Sequence, residues 1–181
     1  MPAPLQHAAA AALSPGRGLG VHITPLHPQD AAALQRFVRE LSAHARYMRF
    51  QYGLRELSPT LLSRLTQIDQ QDHVALVAHA APSAWGSDGE RPLVADARYV
   101  RLGDSGDAEF ALVVADDWQG QGLARELLGR LMDRARRQGL KRLLGEVLWD
   151  NHAMLAMTRR LGGRLVVRAG HTSVVQVQFE L

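Results

Sequence analysis

Residues 108–127, AEFALVVADDWQGQGLAREL, confine what this chain can fold into more than any other stretch. Residues 108–114 read as a buried strand, and from Leu123 onward the apolar positions fall at helical spacing. Gly120 and Gly122 stand between the two, with no lysine beside them. A strand that delivers its last peptide groups beside a helix N-terminus makes an anion site. The first-turn N–H groups lack intrahelical partners, and the helix dipole favours negative charge there. Glycine at both positions removes the Cβ atoms that would hold a phosphate off those N–H groups, and Ala124 keeps the helix start slim. Such a turn can hold a phosphate with backbone donors alone. A tight strand–helix turn that binds nothing is the other reading of the same residues.

Two phosphate motifs are excluded. The dinucleotide pattern G-x-G-x-x-G fails because Arg125 stands at the third glycine, and no Gly-Lys-Ser/Thr of a P-loop occurs. Other function classes fall to composition. The chain has no cysteine, so disulfide frameworks, thiolate zinc sites and cysteine nucleophiles are out. Its histidines form no H-E-x-x-H or similar spacing, so no metal is expected. The formal net charge is +3, carried almost wholly by scattered arginines with Lys141 as the single lysine, and nucleic-acid binding is not expected. No apolar run approaches membrane-spanning length, so no membrane partner is expected.

Residues 1–20 are rich in alanine, proline and glycine, and no basic residue precedes the alanine run as a secretory signal requires. They read as a flexible tail before a single domain over 21–181, with a cytoplasmic location by default. Within that domain, strands are expected at 21–26, 73–80, 92–102, 108–114 and 142–148, with two more closing the chain around Gly170-His171. One helix is expected after Asp30, running through ARYMRF, and a second after the cap Ser58-Pro59. A third covers about 123–138 with Leu123, Leu127, Leu128, Leu131 and Met132 inward, and Gly139 stops it. The fourth, 151–162, ends at Gly162. The element order is β-α-α-β-β-β-α-β-α-β-β, an α/β mixture without internal repeat.

Gln119-Gly120-Gln121-Gly122-Leu123-Ala124 matches the Q/R-x-x-G-x-G/A signature of the GNAT superfamily of acyl-CoA-dependent N-acyltransferases. Val114, Trp118 and Asn151 also stand where that family's pattern places a strand residue, an aromatic and a helix-opening asparagine. The resemblance runs from about residue 21 to the end. It narrows at ARYMRF, LSPTLLSRLTQID, AEFALVVADDWQGQGLA and GEVLWDNHAMLAMTRRLG, which resemble the acetyltransferase domain of bacterial protein lysine acetyltransferases.

The resemblance implies a mixed, mostly antiparallel sheet of about seven strands, splayed at its centre, with about four helices. It implies acetyl-CoA as the acyl donor. The pyrophosphate would meet the N–H groups of Gln119, Gly120, Gln121, Gly122, Leu123 and Ala124. The pantetheine would pair like an added strand with Leu112, Val113 and Val114, and Asn151 would contact its arm. Arg125 is either a further phosphate contact or an exposed helix arginine. An amine attacks a thioester only as the free base, and a lysine amine has a pKa of ~10.4, so a general base is useful. Glu109 is the one charge within the apolar strand 108–114 and the candidate for that role, where apolar surroundings would raise its pKa. Its solvated placement at the strand start is the alternative. Many members of the superfamily carry a proton-donating tyrosine where this chain has Thr158. His152 near the sulfur, and Arg46 and Arg49 along an acceptor groove, are further candidates; surface or packing roles remain open for all three.

The reading is direct acetyl transfer in a ternary complex to a primary amine, with a protein lysine as the favoured acceptor. A small-molecule amine acceptor is one alternative, and a non-catalytic acyl-CoA sensor is another. A homodimer is conceivable through edge strands at the chain end.

Overall fold

A computed structural model describes residues 20–81, 91–167 and 173–181. The tail over 1–20 (apart from Gly20), most of the 81–91 connection and the Gly170-His171 turn lie outside the described residues. The elements are β1 Val21–Pro25, α1 Ala31–Glu40, α2 Ala43–Phe50, α3 Pro59–Thr66, β2 His73–Ala80, β3 Leu93–Arg101, β4 Asp107–Val114, α4 Leu123–Arg137, β5 Arg142–Leu148, α5 His152–Arg160, β6 Arg164–Val166 and β7 Val174–Glu180. The expected strands are present. The helix count differs: there are five α-helices among the described residues, because the segment after Asp30 breaks at Leu41, whose ψ of 144° leaves the helical range. Ser42 then caps a new helix, its Oγ accepting from the N–H of Ala45 at 3.0 Å. A serine followed by helix-forming alanines is a start signal, masked in the sequence by the unbroken run of helical apolar spacing.

The seven strands form one sheet in the order β1-β2-β3-β4-β5-β7-β6. All described pairings are antiparallel except β4 with β5. That parallel pairing lasts only three residues, Asp107↔Arg142, Ala108↔Leu143 and Glu109↔Leu144. Beyond it β4 stays paired with β3 through Val114, and β5 with β7 through Leu148, so the sheet splits into a V with its vertex at Glu109. The Phe110 ring lies over Gly145 at this vertex. A Cβ at position 145 would come within 2.6 Å of that ring, so only glycine admits the wedge. The chain's last strand, β7, lies inside the sheet, and the edges are β1 and β6.

Side-chain alternation along the strands sorts the core into two layers. Ala95, Ala97, Tyr99, Ala108, Phe110 and Val114 pack with the inward face of α4 (Leu123, Leu127, Leu128, Leu131) and with Leu155 of α5. Ala75, Val77, Leu93 and Val113 pack on the other side with Leu34, Phe37 and Val38 of α1, Leu41, and Ala45 of α2. Glu109 shares the α2 side with Ala111 and Val113. No described helix is long and apolar enough to cross a membrane.

Candidate active site

The V opens into a cavity of about 940 Å³, lined by β4 from Glu109 to Val114, the turn and first residues of α4, the end of β5, one face of α5, and α2 with the two residues after it. Its floor at the turn is built by backbone conformation. Gly120 and Gly122 have φ of 72° and 88°, the left-handed region that only glycine enters without strain. A Cβ at either would meet nothing within 4 Å, so the dihedral, not protein crowding, selects glycine. The Gln119 side chain fixes the turn, its Nε2 donating to the Val114 carbonyl at 3.0 Å. Gly122 begins α4 without a side-chain cap, and Glu126 N–H to Gly122 carbonyl closes the first helical turn. The N–H groups of Leu123, Ala124 and Arg125 therefore precede the helix's own ladder, at the positive end of a 15-residue dipole.

Most of the expected cofactor residues meet on this cavity: Leu112, Val113, Val114, Gln119, Gly120, Gly122, Leu123, Ala124, Arg125 and Asn151. Gln121 does not line it; its Nε2 turns back to donate to the Asp117 carbonyl at 2.9 Å. Leu112 to Val114 lie beyond the last β4–β5 pair, so their edge facing β5 has no strand neighbour, as main-chain pairing with an extended ligand requires. Asn151 caps α5, accepting from the Met154 N–H at 3.1 Å. Arg125 is exposed at the cavity rim. These features, together with the open edge and the uncapped helix start, fit a pantetheine and its pyrophosphate.

Glu109 stands at the vertex and lines the cavity, but it is exposed, and the apolar enclosure expected of it is absent. Its charged neighbour is Arg49 of α2, whose guanidinium feels the Glu109 charge. Thr158 is fully buried, is not a cavity residue, and its Oγ1 has no hydrogen-bond partner. The cavity therefore has no hydroxyl at the family's tyrosine position. His152 lines the cavity from α5. Arg46 does not: its Nη1 donates to the carbonyls of Arg39 (2.9 Å), Val38 and Leu41, closing the end of α1.

Sequence reasoning missed two features. Tyr52, half-exposed beyond the end of α2, puts a phenol on the cavity wall; a lone tyrosine after a helix carries no pattern to find it by. Asp116 ties the two walls together, accepting from Ser42 N–H at 3.1 Å and Ser42 Oγ at 2.8 Å. Desolvation would push the Asp116 carboxyl up, but these bonds outweigh it and hold it below the usual carboxylate range. Among the described residues, no cluster of histidines and carboxylates is placed to hold a metal ion.

A sheet split after a short parallel pair, with a glycine turn and an uncapped helix on one arm, defines an acyl-CoA-dependent transferase. The family description "Acetyltransferase (GNAT) domain" matches residues 21–164, and the chain belongs to that family. An acetyltransferase of Pseudomonas aeruginosa is 36% identical over 145 residues, 80% of this chain and 75% of that protein. The acetyltransferase Pat of Mycolicibacterium smegmatis is 36% identical over 142 residues, 78% of this chain but only 40% of Pat. The crystal structure of the GNAT domain of S. lividans PAT superposes with a TM-score of 0.77 at 30% identity, covering 89% of this chain and 90% of that one. The chain is an N-acetyltransferase, and acetyl-CoA is its acyl donor.

Proposed function

We propose that the chain acetylates the ε-amine of a protein lysine by direct transfer within a ternary complex, with Glu109 as the general base. The observation that carries this is the placement of Glu109 where β4 and β5 part, on the wall of the cavity whose other end is the glycine turn. The turn and the free edge of β4 bind and orient the donor. Peptide N–H groups near Val114 polarise the acyl carbonyl. Glu109, directly or through water, takes the proton from the incoming ammonium, whose pKa of ~10.4 keeps it unreactive at neutral pH. The amine nitrogen then bonds to the acyl carbon as the carbon–sulfur bond breaks, and the proton that the nitrogen sheds on becoming an amide passes through solvent to the departing thiolate. The chain has no cysteine to carry an acyl-enzyme, which supports direct transfer. The protein-lysine acceptor rests on the likeness to the Pat and PAT domains.

Initial rates measured over a grid of acetyl-CoA and lysine-peptide concentrations test the reading. Intersecting double-reciprocal lines are expected; parallel lines would replace direct transfer by a covalent intermediate. Glu109→Gln is expected to lower kcat by about 10²-fold or more while leaving the calorimetric Kd for acetyl-CoA unchanged. Acetyl-CoA binding without turnover on any amine would instead make the chain a sensor.

A further inference from the structure

Arg46 and Arg49 lie one helical turn apart on α2, and each has a buried Nε without a partner, but only Arg46 is tied to the fold, through the carbonyls that its Nη1 reaches. The Arg49 guanidinium makes no hydrogen bond or ion pair with any described residue, and its Nε is sealed from solvent without a partner. Its guanidinium carbon sits 4.8 Å from the Phe50 ring centroid, and it lines the cavity together with Glu109 and Tyr52. The nearby Asp96 is already committed: Arg98 holds it through Nη2 at 2.7 Å and Nε at 3.0 Å, and both side chains are buried. Burial lowers the Arg49 pKa to about 10, with the Asp96 and Arg98 charges acting in opposite directions on it. It is still a cation at neutral pH.

The position of this cation, set back along α2 from the Ser42–Asp116 tie, favours the acceptor over the donor's phosphates as its partner. α2 begins at Ser42, tied to Asp116 beside the glycine turn, and runs back along β4 towards Glu109. Arg49 lies seven residues along that helix, about 10 Å from the tie at 1.5 Å per residue. Arg49 feels Asp96, which pairs opposite Val113, more than Glu109, and so faces the stretch of the cleft between the glycine turn and the proposed base. Desolvating a guanidinium without a partner is unfavourable, and a planar N–H fork matches a carboxylate.

We infer that Arg49 receives a carboxylate of the acceptor, so that the substrate class is an amine with an acidic group close to it. This rests on the acetyl-transfer reading above. For a protein acceptor, the target lysine has an acidic residue beside it; for a free amino acid, the α-carboxylate fills the same place.

Four acceptors separate the sources: capped Ala-Lys-Glu and Ala-Lys-Gln peptides, and L-leucine with L-leucinamide. The carboxylate-bearing member of one pair is expected to show about tenfold or higher kcat/KM, mostly through KM. The preferred pair names the source. In Arg49→Gln that preference falls to near unity, and Arg49→Lys restores part of it. Equal rates within both pairs for the unmodified protein overturn the inference. An Arg49→Gln loss that is the same for charged and neutral acceptors also overturns it, because Arg49 would then act only through Glu109.

A second readout needs no turnover. The Nε–H resonance of Arg49, assigned by its disappearance in Arg49→Gln, is followed while each acceptor is added without acetyl-CoA. A shift with a carboxylate-bearing acceptor but not its neutral partner supports the inference even if no acetyl transfer occurs, in which case only the transfer reading fails. No shift with any acceptor counts against it. Arg49→Gln removes an unpaired cation, so its thermal midpoint is expected to equal or exceed that of the parent, which a purely structural arginine would not allow.

Discussion

The two walls of the cleft present positive potential by opposite means. On the β4–α4 wall it comes from peptide N–H groups and a helix dipole, with no side-chain cation required and no isolated charge desolvated. On the α2 wall it comes from one guanidinium held half-buried without a partner. The first arrangement is intrinsic to a backbone path and costs the fold little. The second costs stability unless something completes it. A phosphate-rich donor common to a whole family suits the first; an acceptor particular to this chain suits the second.

The contrast breaks most visibly at Gly122. A side chain there must adopt φ of 88°, which costs an L-residue roughly 1–2 kcal/mol. If the helix start reorganises to avoid it, the converging N–H groups are lost as well, at about 1.5–3 kcal/mol for bonds to a charged group. Gly122→Val is therefore expected to weaken acetyl-CoA binding by about 3 kcal/mol, roughly 100-fold, by calorimetry. Nothing lies within 4 Å of the new Cβ, so the thermal midpoint should fall by the backbone strain alone, by about 2–8 °C. Retained affinity would mean the donor does not use this turn.

The same contrast explains what could be read in advance. The β4 strand, the turn and α4 are contiguous in sequence, so period, glycine placement and helix start already specify the wall. The α2 wall depends on tertiary placement. Arg46 and Arg49 look equivalent along the chain, and only the folded positions of the α1 carbonyls and of Asp96 separate a helix-closing arginine from an unpaired one. Glu109 shows the same limit. Its strand was legible, yet its exposure follows from the parting of β4 and β5 at that residue, which no local pattern announces. Gly145 gave no signal either, because its requirement is a ring arriving from β4.

A smaller effect is expected where the walls are joined. Ser42→Ala removes both the α2 cap and one of the two bonds to Asp116, and a lost cap costs about 1 kcal/mol. It should raise the acceptor KM several-fold, because α2 carries Arg49, while the acetyl-CoA Kd stays within about twofold, since the turn is braced independently by Gln119. If the donor affinity falls as much as the acceptor affinity, the two walls are not independent and the comparison fails.

The smallest effect concerns the vertex itself. Asp107, the first β4 residue paired with β5, accepts from Arg142 Nε at 2.8 Å and Nη2 at 2.6 Å. That bond holds the Asp107 carboxyl below the usual carboxylate range. A carboxyl with a depressed folded pKa contributes stability that is present above its unfolded value, ~3.9. The contribution is lost as pH falls through the lower folded value. Asp69, held down first by the N–H of His73 and then by those of Gln71 and Asp72, and Asp116 have the same sign, so the acid slope of the parent protein alone assigns nothing to the vertex. The difference between parent and Asp107→Asn isolates it. Urea midpoints should separate the two at pH 7 and converge as the pH falls below about 4. A gap that persists at the acid end means that the hydrogen bonds to Arg142, which an amide oxygen can partly retain, are not what the charge contributes. The parallel pairing at the closed end of the V would then rest on packing around Phe110 and Gly145 instead.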